Sequence, residues 1–348
     1  TIFDFSGTQG LLRAAEQCNG SADCRKSAVI GGTMCPSYMA TLDENATTRA
    51  RANILREFLT HSGKKNRFDH QEIYQVMDLC LSCKGCKSEC PSNVDMARYK
   101  AEFLQHWHDA HGIPLRTSII ANISKLNKLG MLVPSVFNFF VTNSFISGIM
   151  KKTLGFAPKR SIPVLYKMTL RSWLKRQAGV AHAGTKGKVY LFADEFTDFN
   201  DVEIGIKAIK ALNKLGYTVE IPDHVESGRA YLSKGMVRKA QALAKKNIMK
   251  LQSLVSEQTP LVGIEPSAIL SFRDEYPDLV GNELKASALK IAPHCLMFDE
   301  FIMREVQKAN ITPAQFTDAK QQVRLHGHCH QKSLSSTGPT KDMLSLPV

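Results

Sequence analysis

The pattern of apolar and polar positions divides the chain into a helical first part and an alternating second part. Before residue 110, apolar positions recur at helical spacing, which predicts helices over residues 41–59, 70–79 and 94–108. After residue 187, short apolar runs alternate with amphipathic helical segments, as is typical of a layer of parallel strands covered by helices. The predicted strands lie at residues 188–193, 217–222, 260–264 and 322–328.

These patterns predict a mixed α+β, multidomain protein of 348 residues, long enough for two or three domains with cores of their own. We expect a helical, cysteine-bearing domain over residues 1–112 and a basic helical connector over residues 113–186. An α/β domain over residues 187–348 follows a predicted linker at residues 179–187.

The first domain carries a cysteine motif with the spacing C-x2-C-x2-C-x3-C-P, formed by Cys80, Cys83, Cys86 and Cys90. Ferredoxins hold [4Fe–4S] clusters with this spacing: the first three thiolates bind one cluster, and the cysteine before proline binds its neighbour. A zinc site would need two C-x2-C pairs with a longer loop between them. The motif therefore indicates an electron-transfer protein.

A second, incomplete motif lies upstream. Cys18 and Cys24 keep the outer spacing of a ferredoxin motif, but Ser21 occupies the middle position, and Cys35 precedes Pro36 after an insertion. Because the Cys-Pro cysteine of each motif serves the other cluster, the sequence assigns one complete [4Fe–4S] centre, and three cysteines remain for a second centre. The complete set is Cys80, Cys83, Cys86 and Cys35, and the remaining set is Cys18, Cys24 and Cys90.

Several alternatives stay open for these residues. The second centre is a three-iron cluster, a cubane with a non-cysteine ligand such as Ser21, or absent, with Cys18 and Cys24 as small apolar residues. On spacing alone, Cys90 would also serve as fourth ligand of the first cluster. The predicted helix after Cys35 and Pro36 carries three arginines, Arg49, Arg51 and Arg56. They would raise the reduction potential of the cluster or form ordinary surface charge.

The net charge of +13 has an uneven distribution. No acidic residue lies between Asp109 and Asp194, a stretch that contains thirteen lysines and arginines. This basic stretch would dock onto an acidic domain or subunit, or onto an anionic membrane surface as a peripheral protein. Nucleic acid is disfavoured because aromatic residues do not alternate with the charges. Residues 131–150 are apolar but interrupted by Pro134 and asparagines, which predicts a buried or interfacial helix rather than a membrane span.

In the α/β part, two loops at predicted strand ends carry candidate ligands, as expected where strands of such layers end. One is Ile264-Glu-Pro-Ser-Ala-Ile, which contains Glu265. The other contains His326, His328, Cys329 and His330, where an extended backbone would project the histidines to one face as metal ligands or as a hydrogen-bonded loop. Cys295 is predicted to be a core thiol. No Gly-x-Gly-x-x-Gly motif or P-loop is present, so any flavin would be bound by other sequence.

Several segments together resemble one family, the FAD-linked D-2-hydroxy-acid dehydrogenases, which include bacterial D-2-hydroxyglutarate and D-lactate dehydrogenases. The similarity lies in their iron–sulfur portion, and it extends through nearly the whole chain. The segments are Asn19-Gly-Ser-Ala-Asp-Cys, Gly32-Thr-Met-Cys-Pro-Ser-Tyr, Thr48-Arg-Ala-Arg-Ala-Asn-Ile-Leu-Arg-Glu, the motif around Cys80, Glu226-Ser-Gly-Arg-Ala-Tyr and His328-Cys-His-Gln-Lys.

The resemblance implies an α-helical ferredoxin domain and an α/β cysteine-rich-type domain like that of heterodisulfide reductase. The usual Cys-Cys-Gly motif of the latter is missing, so we expect the chain to be cut at both ends. The resemblance also implies FAD on a preceding domain or partner subunit that removes a hydride from C2 of a D-2-hydroxy acid. The cluster would then pass electrons singly to a quinone or an electron-transfer flavoprotein.

An alternative is a separate, non-catalytic subunit, like the iron–sulfur subunit of glycolate oxidase or of anaerobic glycerol-3-phosphate dehydrogenase. A third is an iron–sulfur scaffold that senses oxidants. We expect an oligomer both for the dehydrogenase and for the separate electron-transfer subunit. Cysteines at metal spacing favour a reducing compartment, which is the cytoplasm or the cytoplasmic face of the inner membrane.

Overall fold

The computed structural model describes residues 1–177, 184–318 and 321–347; most of the predicted linker at 179–187 lies outside these ranges. The chain is rich in helix and contains one small parallel sheet. The prediction of a mixed helical and α/β protein is thereby confirmed, while the boundaries of its three domains stay predictions. None of the helices in the described ranges combines the length and apolar character that a membrane span needs.

The cysteine-bearing part consists of short helices around two longer ones. The longer helix α3 begins after Thr47, whose hydroxyl accepts a hydrogen bond from the Ala50 amide, and α6 begins after Asp95, which caps it in the same way. The helices are α1 (Leu11–Glu16), α2 (Pro36–Thr41), α3 (Thr48–His61), α4 (Gln71–Asp78), α5 (Gly85–Glu89) and α6 (Met96–His111).

The connector forms α7 (Leu115–Ala121), α8 (Ile123–Gly130), α9 (Pro134–Thr142), α10 (Ser144–Leu154) and α11 (Leu170–Arg176). The segment at 131–150 is therefore two helices rather than the single helix expected. They meet at Asn143, whose side chain accepts hydrogen bonds from the first amides of α10 and so starts a new helix. Both helices leave large apolar side chains such as Phe139 and Phe145 exposed, so the buried alternative is wrong, and the interfacial alternative stays a prediction.

Four parallel strands form the sheet in the order β2-β1-β3-β4. They are β1 (Lys188–Phe192), β2 (Thr218–Glu220), β3 (Leu261–Gly263) and β4 (Cys295–Met297). The helices of this part are α12 (Val202–Lys214), α13 (Arg229–Ser233), α14 (Val237–Leu251), α15 (Pro266–Ile269), α16 (Ser271–Asp274), α17 (Tyr276–Leu279), α18 (Asn282–Ile291), α19 (Phe298–Gln307), α20 (Cys329–Leu334) and α21 (Gly338–Leu344).

The fourth strand is not the one expected. Residues 322–328 form no strand, and their side chains are mostly exposed, so the prediction of a strand there is wrong. The sheet instead recruits Cys295–Met297, an apolar segment whose three residues are all buried. Cys295 is fully buried there, which confirms the prediction of a core thiol. Since the backbone enters α20 at Cys329, the three histidines do not share one face of an extended segment.

The two faces of the sheet pack into different apolar clusters. Tyr190 and Phe192 belong to a cluster that continues into the cysteine-bearing part, where it includes Met34, Cys35 and Cys86. Val189 and Leu191, the alternate residues of the same strand, face a second cluster against α12 and α19. The cysteine-bearing part and the α/β part therefore share a core.

Candidate iron–sulfur site

The loop between α4 and α5 carries Cys80 and Cys83, and Cys86 follows as the second residue of α5. The backbone of the loop turns sharply, with left-handed conformations at Ser82 (φ 53°) and Lys84 (φ 61°). α5 then begins at Gly85, where a Cβ atom would lie 2.8 Å from the Met34 nitrogen and from the Thr33 carbonyl carbon. Because this glycine lacks a side chain, the backbone before Cys35 can lie directly against the loop.

The Glu89 carboxylate joins the same two segments, since it accepts hydrogen bonds from the amides of Thr33 and Met34. Cys35 follows in a left-handed conformation (φ 57°) and precedes Pro36 at the start of α2. Its sulfur accepts a hydrogen bond from the Thr48 amide at 3.1 Å and lies 2.9 Å from the Thr48 hydroxyl. The sulfur therefore lies at the amino terminus of the 14-residue helix α3, where the helix dipole favours a thiolate.

Four thiols line one small cavity between these segments: Cys35, Cys80, Cys83 and Cys86. This is the set that the sequence assigned to the complete cluster, brought together although Cys35 is 45 positions from Cys80. Burial raises the pKa of Cys83 to about 11 and raises that of Cys86 well above its usual range. Buried thiols that resist ionisation on their own fit a cationic iron centre, which supplies the positive charge that thiolates need.

A single metal ion would require a tighter arrangement. Within the described residues, no group of three or more histidine, cysteine, aspartate or glutamate side chains converges on one point as a mononuclear site requires. In a cubane each thiolate binds a different iron, so its four sulfurs surround a larger object and stand further apart. The donor set therefore fits a four-iron cluster better than zinc.

One of the three nearby arginines lines the cavity. Arg51 is only 2% exposed, and its guanidinium donates hydrogen bonds to the Val76 carbonyl at 2.9 Å and to the Ser37 hydroxyl at 3.1 Å. Arg49 instead pairs with Glu44 near the surface, and Arg56 is exposed. Arg51 is thus the arginine able to stabilise added negative charge on a cluster here.

The remaining cysteines are less closely grouped. The neighbouring Cys35 thiol lowers the pKa of Cys24 to about 6, and Cys24 together with burial raises the pKa of Cys35. The sequence had assigned these two residues to separate centres. Cys18 and Cys90 are both half-buried, and Ser21 is exposed, with its amide bound to the Asn19 side chain. Ligation of a second centre by Cys18, Cys24 and Cys90 stays a prediction.

The segment from His326 to His330, the histidine loop, and the start of α20 pack directly on residues 79–84, the cysteine loop. His330 Nε2 lies 3.0 Å from the Ser82 carbonyl oxygen, and the Ser333 hydroxyl donates a hydrogen bond to the Cys83 carbonyl at 3.2 Å. His328 lies at the start of α20 with Nε2 3.6 Å from Glu265, whereas His326 is exposed. Burial lowers the pKa of His330 to about 4, which keeps its ring neutral. Metal binding by His328, Cys329 and His330 stays a prediction.

Sequence reasoning missed the residue that connects the cysteine loop to the α/β part. The Lys84 ammonium is buried (1% exposed) among three carboxylates: Asp274, Glu275 at 3.1 Å and Asp95 at 3.4 Å. Burial alone would favour the neutral amine, but these three charges raise the pKa of Lys84. Nothing in the sequence distinguished this lysine from Lys87, because its partners lie up to 191 positions away.

Comparison with known proteins agrees with this geometry. Residues 17–95 match the family described as a 4Fe-4S dicluster domain. The matched range contains all seven cysteines of the two motifs, so the prediction of a [4Fe–4S] protein is confirmed, and the number of clusters stays a prediction.

Beyond the dicluster domain, the similarity extends through most of the chain. The chain is 25% identical over 333 residues to the D-2-hydroxyglutarate dehydrogenase of Escherichia coli (strain K12). This match covers 81% of the chain and 33% of the relative. The enzyme of the same name from Pantoea ananatis (strain AJ13355) is 25% identical, with 85% of this chain and 33% of the relative covered. The chain thus spans about a third of the length of these relatives. The resemblance to the iron–sulfur portion of such dehydrogenases is confirmed, and no solved structure matches the chain.

Proposed function

We propose that this chain is the electron-transfer portion of an FAD-linked D-2-hydroxy-acid dehydrogenase. The observation that carries the proposal is the cavity lined by Cys35, Cys80, Cys83 and Cys86 within the dicluster domain. These four thiolates would hold a [4Fe–4S] cluster, which carries electrons one at a time. The names of the relatives favour D-2-hydroxyglutarate over D-lactate as the substrate of the whole protein.

The residues of this chain would tune and protect the cluster. A flavin bound by another domain or subunit supplies the hydride chemistry at C2 of the hydroxy acid. Arg51 stabilises the reduced, more negative state from one side of the cavity, and the Thr48 amide donates a hydrogen bond to the Cys35 sulfur. Lys84 and the histidine loop exclude water from the side that faces the α/β part.

Substitution of one predicted ligand tests the proposal. We expect Cys83→Ser to remove most of the iron and acid-labile sulfide of the cluster, because serine is a poor substitute for thiolate. Visible absorbance and the paramagnetic resonance of the reduced protein would be lost with it. In the intact protein that contains this chain, D-2-hydroxyglutarate would still reduce the flavin, but electron transfer to an external dye would stop.

The control is Cys295→Ala, which removes a fully buried thiol that lies in β4 and does not line the cysteine cavity. It should retain iron, sulfide and dye reduction. Full iron content in the Cys83→Ser variant would contradict the ligand assignment, and colourless anaerobic protein containing only zinc would contradict the electron-transfer proposal itself. Comparing Cys35→Ser with Cys90→Ser then decides which of them is the fourth ligand.

A further inference from the structure

A large apolar cavity, the connector cavity, lies where the connector helices meet the α/β part. Its volume is about 1010 Å³, at the upper end of the range for small-molecule sites. Side chains of α7 to α10 form its walls, among them Ile120, Ile123, Phe137 and Leu154. The walls are therefore suited to a long, apolar ligand rather than to a charged metabolite.

One end of the connector cavity's lining, the polar end, consists of residues from the α/β part. It is formed by Arg229 and Ser233 of α13 and by Glu265 and Ser267, which follow β3. This is the carboxyl edge of the parallel sheet, where α/β layers generally bind their ligands. The cavity thus offers a guanidinium that is only 9% exposed and a carboxylate, both beside apolar walls.

This polar end lies one layer of side chains from the cysteine loop. Arg229 forms an ion pair with Glu275, and Glu275 in turn lies 3.1 Å from Lys84, the residue between two predicted cluster ligands. On the other side, Glu265 lies 3.6 Å from His328, two positions before His330, which contacts the Ser82 carbonyl oxygen. A ligand at this end would therefore lie near an electron carrier, which favours a redox-active molecule.

Other lining residues of the connector cavity are exposed, and they are apolar or basic. Leu129, Leu132 and Val136 line the cavity and are each more than half exposed. Arg116, Lys151 and Arg160 also line it, within the stretch that contains no acidic residue. Apolar residues beside basic ones suit access from the surface of an anionic membrane, where lipophilic molecules reside.

We propose that the connector cavity binds a lipophilic quinone, with the quinone ring between Arg229 and Glu265 and the isoprenoid chain along α8 and α9. This deepens the proposed function, on which it rests, by naming the electron acceptor. One quinone takes up two electrons, which the cluster delivers singly from the reduced flavin, and two protons from water, and becomes a quinol. The Arg229 guanidinium donates a hydrogen bond to one ring oxygen.

The first test is equilibrium binding of a decyl-substituted quinone to the full chain, measured by calorimetry at any cluster content. We expect saturable binding to the wild type, and weakening by about tenfold in Val136→Glu, because a charge placed beside an apolar chain costs at least about 1.4 kcal/mol. The matched control is Ile149→Glu, since Ile149 lies on α10 outside the cavity and has nearly the same exposure as Val136 (53% and 51%).

The second test is kinetic and uses cluster-loaded protein reduced by dithionite, without flavin or hydroxy acid. The quinone should reoxidise the cluster at a saturable rate that falls about tenfold in Val136→Glu, in line with its weaker binding. Ferricyanide, a hydrophilic oxidant that needs no apolar site, should react equally fast with the wild type and with Val136→Glu.

Three results would overturn the proposal: no saturable quinone binding, equal effects of the two glutamate substitutions, or equally tight binding of decanoate, which shares the chain but has no redox chemistry. Quinone binding to protein that forms no cluster would instead contradict the proposed function while the cavity assignment stands.

Discussion

Lys84 illustrates how much one buried charge can connect. Its ammonium bridges the cysteine loop to Asp95 at the start of α6 and to Asp274 and Glu275 in the α/β part. A buried ion pair adds little net stability compared with an apolar pair, but removal of a single partner leaves uncompensated charges in a medium that solvates them poorly. Each carboxylate also pairs with Lys87, Arg98 or Arg229, but Lys84 is the cation in the described part of the chain that contacts all three.

We expect Lys84→Met to lower the free energy of unfolding by about 3–5 kcal/mol, measured by urea denaturation, and to weaken retention of iron. Lys64→Met is the control, because Lys64 forms an exposed pair with Asp69 and should change stability by less than about 1 kcal/mol. Equal effects of the two substitutions would show that the buried network is dispensable.

Asp194, which follows β1, gives the stability a dependence on pH. Burial and the charge of Glu195 raise the pKa of its carboxyl group to about 7, although the Thr197 hydroxyl and amide donate hydrogen bonds to it. In the unfolded chain the pKa would be about 3.9. The folded state therefore binds the proton more tightly, and its contribution to stability, complete below pH 4, is lost as the pH rises through 7.

The variant Asp194→Asn cannot titrate at this position. We expect the unfolding free energy of the wild type, relative to that of the variant, to fall between pH 5 and pH 8, as measured by urea denaturation at both values. A difference that is constant over this range would mean that Asp194 is already ionised at pH 5.

At the scale of elements, the contact between α5 and the segment before α2 aligns the two cysteine motifs. The contact depends on Gly85, since any side chain there would meet the backbone of Thr33 and Met34 at 2.8 Å. Backbone atoms cannot move aside as the end of a flexible side chain can, so the segment carrying Cys35 would have to shift.

We expect Gly85→Ala to cost about 1–3 kcal/mol of stability and to reduce iron bound per chain, because Cys35 moves away from the other thiols. Gly63→Ala is the matched control: no atom lies within 4 Å of its Cβ position and its φ is not positive, so the change should be neutral or slightly stabilising. Unfolding curves and iron analysis of both variants check this, and wild-type iron content in Gly85→Ala would refute the alignment.

At the scale of the whole molecule, the loop between α4 and α5 and the helix α20 support each other. His330 and Ser333 bind the carbonyl groups of Ser82 and Cys83, so the conformation of the loop and the docking of α20 are coupled. The shared apolar core beneath one face of the sheet extends this coupling to Phe192 and its neighbours. Loss of the cluster should therefore reduce the stability of the α/β part where it adjoins the cysteine-bearing part.

We expect the cluster-free variant Cys83→Ser to exchange the amide hydrogens of α20 faster than the wild type by at least about tenfold, which corresponds to about 1.4 kcal/mol of lost protection. The amides of α12, which packs on the opposite face of the sheet, should be unaffected. Hydrogen exchange followed by mass spectrometry checks both helices, and unchanged protection of α20 would contradict the coupling.

The sequence by itself determined the cysteine spacing, the helical and alternating halves and the first three strands, because these depend on neighbours a few positions away. It also named the four thiols that line one cavity, since the exchange of Cys-Pro ligands between motifs is a regular property of ferredoxins. Only the tertiary structure decided that Cys295–Met297 forms the fourth strand and that Cys24 lies against Cys35. It also decided that Lys84 and the histidine loop meet at the cluster site, because contacts between residues nearly 200 or more positions apart arise from packing, which no local pattern records.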